Sequence, residues 1–536
     1  MELARIKIKE IWRMIMVLKR SVRLLSIFLP MSFALSSTAY AVNSNLQSLS
    51  DTEMSDVNGQ ALMSLSYLAP TDSANPMKSI SNNTVGFYKL GLEAEMELNA
   101  NIKNLQLGCG GSNGPDACDL DIKNLSLSGL PDSYDKDGVP VYNNGRASTS
   151  GKITNPFMEF AIANPNSAST REVKGIRFSA EKISALLTAG LENLATAPTD
   201  DGIQRLSGFM QIAPTTGTAT TKQTTFGKSP TQQIGGYAHL CAGLIGLACS
   251  VYNRDIHFTS DTSNSKSTGI TVPSVSTGFD LPGFVVNGKR QQNATINDIR
   301  TNLATIPIAS DGTSNYPASL FQNDQLRVNL DCNGVSGGSG IIGCNALSFL
   351  KDQATFKMGA GSKINNLNLK IDFEQALSMI HNIPLSGTGG YLSLQTMALL
   401  WPGAKVAGSD VGQTNISAMS GNTDVAQPGW WMSFNEPVQL GKLNVTQPVV
   451  LDDATLAQVA GRVTQALNPN NPNKPQADAS NLIKLAQLLA DQPLTSTVVA
   501  DLGDYTRNNP VYLKLQNQQL SNQAVKSNCY GTLKFC

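Results

Sequence analysis

Eight cysteines fall into four short-range couples, Cys109/Cys118, Cys241/Cys249, Cys332/Cys344 and Cys529/Cys536, each enclosing a Gly-rich or turn-rich segment. Eight cysteines allow 105 connectivities, and four local loops are the simplest of them. Each such loop contributes on the order of 2.5–3 kcal/mol by the loop-entropy argument. A disulfide framework persists only where the surroundings are oxidising, so the chain is expected to work outside the cytoplasm.

The N-terminus agrees with that compartment. Lys19, Arg20 and Arg23 precede an apolar run from Leu24 to Leu35, and Ala39-Tyr40-Ala41 offers a small-x-small cleavage site. The pattern is that of a secretory signal peptide over 1–41. The apolar run contains Pro30 and is too short to span a bilayer comfortably. No cysteine precedes Cys109, which argues against a lipid anchor near the cleavage site. The later apolar stretch Leu240–Val251 is broken by glycines and falls below a spanning length, so no transmembrane span is expected in the mature chain.

Removing the signal takes away seven Lys/Arg and two Glu, and the precursor's 40 basic and 40 acidic residues become 33 and 38. That balance disfavours nucleic acid as a partner. Charged residues make up only 15% of the chain, against about a quarter in ordinary globular proteins. Polar, weakly charged surfaces of this kind suit secreted β-proteins.

Period-two patterning is the main structural signal. A short motif occurs three times, as Ile102-Lys103-Asn104-Leu105-Gln106-Leu107, Ile122-Lys123-Asn124-Leu125-Ser126-Leu127 and Ile364-Asn365-Asn366-Leu367-Asn368-Leu369-Lys370-Ile371. One apolar and one polar face mean strands packed on one side. The first two copies flank the Cys109/Cys118 loop and read as antiparallel neighbours pinned at their turn. The fold class expected is mainly β, α+β in total: an elongated antiparallel sandwich or roll of amphipathic strands with packed helices. Helical spacing predicts helices over Ser179–Leu194, Phe373–Ile380, Asp452–Leu467 and Ala479–Ala490, with Asp452 or Asp453 as a cap. The organisation that follows is a signal over 1–41, a helix-to-strand lead-in over 42–70, a β-rich main region over 71–450 with three disulfide loops, and a helical region over 451–536 closed by Cys529/Cys536.

Chemistry-bearing residues are sparse. Gly110-Gly111-Ser112-Asn113-Gly114 and Gly334-Val335-Ser336-Gly337-Gly338 match the nucleophile-elbow spacing, but glycines follow where the elbow needs a helix. The three histidines, His239, His257 and His381, lack metal-ligand spacing and read as surface or strand residues. Asp132, Asp135 and Asp137 lead to a turn glycine and form the one candidate loop for Ca2+, although the twelfth position is Asn144 rather than Glu. An acidic turn explains the same residues. Trp430 and Trp431 follow Pro428-Gly429 and are a candidate binding platform or a core plug. No catalytic constellation emerges, and the expectation is a non-enzymatic protein.

The segment Leu49-Ser50-Asp51-Thr52-Glu53-Met54-Ser55-Asp56-Val57-Asn58-Gly59-Gln60, placed just after the signal, resembles the start of the Fil-type pilus-system proteins of Gram-negative bacteria. Length and cysteine layout extend the resemblance. It implies a role at the cell surface or in the periplasm, in building an appendage used for adhesion or biofilm. Partners would be other pilus-system or surface proteins, or further copies of the chain. It supplies no catalytic residues. The alternative is a soluble periplasmic or extracellular module that binds carbohydrate or lipid.

Overall fold

The computed structural model describes residues 63–110, 117–242, 249, 252–331, 353–387, 390–479, 486–487 and 490–528. The signal segment, the Leu49–Gln60 motif and both elbow-like serines lie outside these residues, as does most of the expected helix Ala479–Ala490. Two of the four expected couples are disulfides, Cys109–Cys118 and Cys241–Cys249. Both fall in the 71–450 region, as two of the three loops expected there. The third, Cys332 with Cys344, lies outside the described residues. The expected clip of Cys529 with Cys536 lies outside them too.

The chain is mainly β. It opens with β1 (Met63–Leu68), β2 (Val85–Leu92), β3 (Glu95–Leu98), β4 (Ala100–Leu107) and β5 (Leu120–Ser128). The first two motif copies form β4 and β5, which pair antiparallel across the Cys109–Cys118 loop with Ile102 opposite Leu125 and Leu105 opposite Ile122. Longer strands follow: β6 (Gly151–Ala163), β7 (Glu172–Ala189), β8 (Gly202–Ile212), β9 (Phe284–Gln291) and β10 (Asn293–Pro307). The third copy lies in β11 (Lys363–Ala376), where Leu367, Leu369, Ile371 and Phe373 are all buried and the residues between them are less so. After it come β12 (Asn382–Leu385), β13 (Gly390–Gln395) and β14 (Gly429–Val438).

The largest sheet runs β1–β2–β6–β7–β13–β14–β8–β5–β4, and β5 pairs with β7 as well. The strand circuit β7–β13–β14–β8–β5 therefore returns to its start. It can do so because β7 is eighteen residues long: Glu172–Ser184 pairs with β6 and Gly175–Ser179 with β13, while Ala185–Ala189 turns to β5 and β12. The closing seam is polar. Ser126 and Thr188 hydroxyls lie 2.7 Å apart across it, and the buried Arg146 donates to Ser128 Oγ and Thr188 Oγ1 at 2.7 Å each. Most pairings are antiparallel, as expected, but β8 and β14 join in parallel.

Two expected helices are strands. Ser179–Leu194 belongs largely to β7, whose final residues Ala185–Ala189 are buried on both faces. Two-sided burial erases the alternation that marks a strand and leaves an apolar cluster at helical spacing. Phe373–Ile380 is the end of β11 followed by a single 3-10 turn, Leu377–Met379. The helix α1 (Asp453–Ala466) forms as expected, with the Asp452 carboxylate accepting from the Thr455 N–H at 2.7 Å. Strands also occupy the C-terminal region, among them Val499–Asp501 and Val511–Gln516, which add in parallel to β11.

The motif has a second property. Asn124 and Asn366, its third residue in two copies, adopt left-handed φ values of 52° and 55°. Each amide then reaches an aspartate on another segment: Asn124 donates to Asp201 at 2.8 Å, Asn366 to Asp501 at 3.0 Å. Asparagine tolerates this region because its short polar side chain bonds locally, whereas other L-residues lose about 1–2 kcal/mol there. Asn366→Val is accordingly expected to lower stability by about 2 kcal/mol in urea denaturation, and Asn366→Gly by less than about 1. Equal losses for both variants would show that the backbone conformation is not what the asparagine provides.

Candidate functional site

Successive residues of a strand face opposite sides of its sheet, so cross-strand register sorts the large sheet into two faces. One ladder of directly opposed residues reads Leu65–Leu90–Met158–Phe178–Leu392–Met432. Its neighbours, one residue along, read Lys89–Glu159–Arg177–Ser393–Trp431. The apolar ladder is the one left open. From Leu90 to Met432 it floors a groove of about 600 Å³ whose wall also includes Met63, Met96, Leu385 and Phe434. The ladder bearing charge is sealed from Glu159 to Trp431.

The seal is segment 396–428, which carries no strand longer than the single bridge Leu399/Ala426 and packs Trp401, Leu399, Leu400, Val425 and Ala426 onto Phe87, Ala161 and Trp431. Beneath it Glu159, Arg177 and Asp424 are 2%, 3% and 0% exposed. The Arg177 guanidinium meets Glu159 at 2.5 Å and lies 5.3–5.4 Å from the ring centres of Phe157, Tyr391 and Trp401. Such cation–π contacts strengthen when desolvated. Asp424 hangs from the covering segment and accepts from Tyr391 Oη at 2.8 Å, Trp431 Nε1 at 3.0 Å and Ser433 Oγ at 2.5 Å. Two carboxylates thus share one buried cation. Desolvation raises the Glu159 carboxyl despite Arg177, and it pushes Asp424 up to about 6 despite three hydrogen bonds.

An acid held above its unfolded-state value of about 3.9 keeps its proton more readily folded than unfolded. Between about pH 6 and pH 4 the fold therefore gains stability as pH falls; above the folded value the charged carboxylate weakens it in full, by on the order of 3 kcal/mol. Asp424→Asn is expected to flatten most of this slope, leaving a residual of the same sign from Glu159. Thermal melts of both proteins between pH 4.5 and 7.5 check it, and identical slopes would contradict it. Removing one partner of a buried pair strands the other charge, so Arg177→Ala should cost about 3–5 kcal/mol. The double variant Arg177→Met with Glu159→Leu should recover most of that loss in denaturant titration.

The residues singled out in the sequence fall elsewhere. Trp431 is completely buried and committed to Asp424, and Trp430 packs half-buried against the main core, so the pair presents no open indole platform. Asp132, Asp135 and Asp137 sit on a small hairpin, Ser133–Tyr134 with Pro140–Val141. One oxygen of each is engaged within the turn: Asp135 accepts from the N–H of Asp137 and Val139 at 2.9 Å, Asp132 from the N–H of Asn143 at 2.8 Å, and Asp137 from Lys136. Among the described residues no three acidic, His or Cys side chains gather as a metal site. Of the cysteines, Cys109, Cys118, Cys241 and Cys249 are bridged as expected, whereas Cys332, Cys344, Cys529 and Cys536 are not among the described residues. His239 pairs with Asp255 at 3.0 Å on adjacent strands, and His257 lies against Tyr237. His381 departs from the expected strand or surface setting: it is buried, and its Nδ1 is 2.7 Å from the Ala189 carbonyl. Burial holds its imidazole below the usual value.

The groove and the ion cluster were both beyond the sequence reading, though Glu159 between Met158 and Phe160, and Arg177 between Ile176 and Phe178, were a usable sign. A second, enclosed cavity beneath α1 measures about 70 Å³. Ligand sites generally measure about 300–1,000 Å³, which fits the groove and not this gap. No described helix is long and apolar enough to cross a membrane. Comparison with protein families, curated proteins and solved structures finds no match for the chain.

Proposed function

We propose that the chain is a non-enzymatic exported protein that contributes to a pilus-like surface structure by accepting a partner's strand. The observation that carries this reading is the meeting of an open edge with an apolar groove at β1. That strand pairs only with β2 among the described residues, all but its last residue are exposed, and Leu65 is 75% exposed. An unpaired edge offers backbone N–H and C=O groups to an extended segment, and the alternate side chains of that segment find their pockets in the adjoining face. Here the adjoining face is the Leu65–Met432 ladder. Carboxylates Glu159 and Asp424 are bound inside the fold, which supports binding rather than catalysis.

The groove's volume also favours a second reading, an extracellular or periplasmic lipid-binding module. Its apolar wall suits an acyl chain better than a carbohydrate, which needs convergent polar groups.

Leu65→Lys separates these readings. At so exposed a position the substitution should change stability by no more than about 0.5 kcal/mol. Antibody to the 71–450 region is expected to label filaments on intact cells, and the variant should be exported at the wild-type level yet leave filaments unlabelled. Label appearing only after outer-membrane permeabilisation, together with tight binding of a fluorescent fatty acid, would favour the lipid-binding module. Specific hydrolysis by the purified protein would overturn both.

A further inference from the structure

The strand that adds to β1 has a candidate within the chain itself. The path of the large sheet has two ends, β1 and β4, and each pairs on one side only among the described residues. Isolated sheets normally blunt such edges with charge, proline or a bulge. Strand β1, Met-Ser-Leu-Ser-Tyr-Leu, carries neither charge nor proline and runs in unbroken register from Met63 opposite Leu92 to Leu68 opposite Phe87. Strand β4 is eight residues to its six and leaves Ile102, Lys103 and Asn104 exposed mid-strand. The two ends also differ in charge. Glu93, Glu95 and Glu97 are exposed in and just before β3, beside the Met63 end of β1, and among the described residues Lys152 pairs with two of them, at 3.1 and 4.0 Å. Lys103 and Lys526 are exposed at the β4 end.

We propose that copies of this chain join head to tail, β4 of one adding to the outer edge of β1 of the next, with the basic β4 end against the acidic β1–β3 end. The inference rests on β1 being a strand acceptor and names the donor. A contact between two different patches that does not close into a ring propagates, so the product is a filament rather than a dimer. The Leu65–Met432 ladder then continues into the neighbouring copy through apolar residues of its β4, Ile102 foremost.

Sedimentation velocity of the purified exported protein tests the pairing with two variants. Leu65→Lys disables the acceptor end, and Ile102→Glu with Lys103→Glu disables the donor end. Wild type should give oligomers that lengthen with concentration without a limiting size, and each variant alone should associate at least about tenfold more weakly. The two variants mixed should form discrete dimers, since each keeps one live end. Circular dichroism confirms folding; if the donor double variant misfolds, Lys103→Glu alone should weaken assembly and Glu95→Lys with Glu97→Lys should restore it. A wild-type protein that stays monomeric, or variants that form closed dimers unmixed, would overturn the inference. A photo-crosslinking residue at position 65 in cells tells the two levels apart. An adduct with a second copy supports self-pairing; an adduct only with a different protein overturns self-pairing and leaves the strand-acceptor reading; no adduct overturns both.

Discussion

Strand β7 is the constraint on which the large sheet depends. Its eighteen residues serve two sets of neighbours, β6 and β13 early, β5 and β12 late, and the strand circuit closes only because one strand reaches both. The seam it forms with β5 is fastened by a buried guanidinium: Arg146 donates to two hydroxyls of the seam and to the Lys526 carbonyl at 2.7 Å. Hydrogen bonds to a charged group contribute about 1.5–3 kcal/mol, and leaving the group unsatisfied costs more. Desolvation pulls Arg146 down to about 10, so it remains charged at any physiological pH. The same bonds tie the C-terminal tail to the β5 end of the sheet.

Midway along β7 the sheet's two faces take opposite roles. Arg177 faces the sealed side and Phe178 the open side, one residue apart. A typical one-sided sheet buries its apolar face and exposes its polar one. This sheet carries apolar residues on both faces: the sealed one holds Phe87, Ala161 and Trp431 around its charged cluster, and the other keeps its apolar ladder open. Burying Glu159, Arg177 and Asp424 is unfavourable unless each finds partners, and segment 396–428 supplies them through Trp401, Asp424 and the rings around Arg177. Leaving Leu65, Leu90 and Phe178 exposed forgoes up to about 1.5–3 kcal/mol for each side chain that could have been covered. The proposed strand-acceptor role accounts for such a surface, since contiguous apolar patches of this kind are uncommon on isolated soluble proteins.

The parts of the fold legible in the sequence were those governed by local rules. The paired motif copies across Cys109–Cys118 followed from alternation and cysteine spacing, and α1 from Asp452 ahead of an apolar stripe. Strand β7 was misread because Ala185–Ala189 is covered on both faces, which removes the period-two signal just where the strand changes neighbours. The open ladder escaped detection for a different reason: its members come from six strands, and register between distant strands is not written in any one of them. Leu65 and Met432 share a face only through five intervening pairings. Trp431 was singled out for its ring, and its actual role came from Asp424, on a covering segment with almost no regular structure to betray it.

The central claim is that the outer edge of β1 is built to be covered by another strand. Amide hydrogen exchange reads that edge directly. In the purified protein at high dilution, the outward-facing amides of Met63–Leu68 should exchange as fast as a solvent-exposed edge allows, while those bonded to β2 are slower. In material sheared from the cell surface, the outward-facing amides should become protected by at least about tenfold, with the interior of β7 unchanged. Exchange of Met63–Leu68 that is the same in both states would contradict the account.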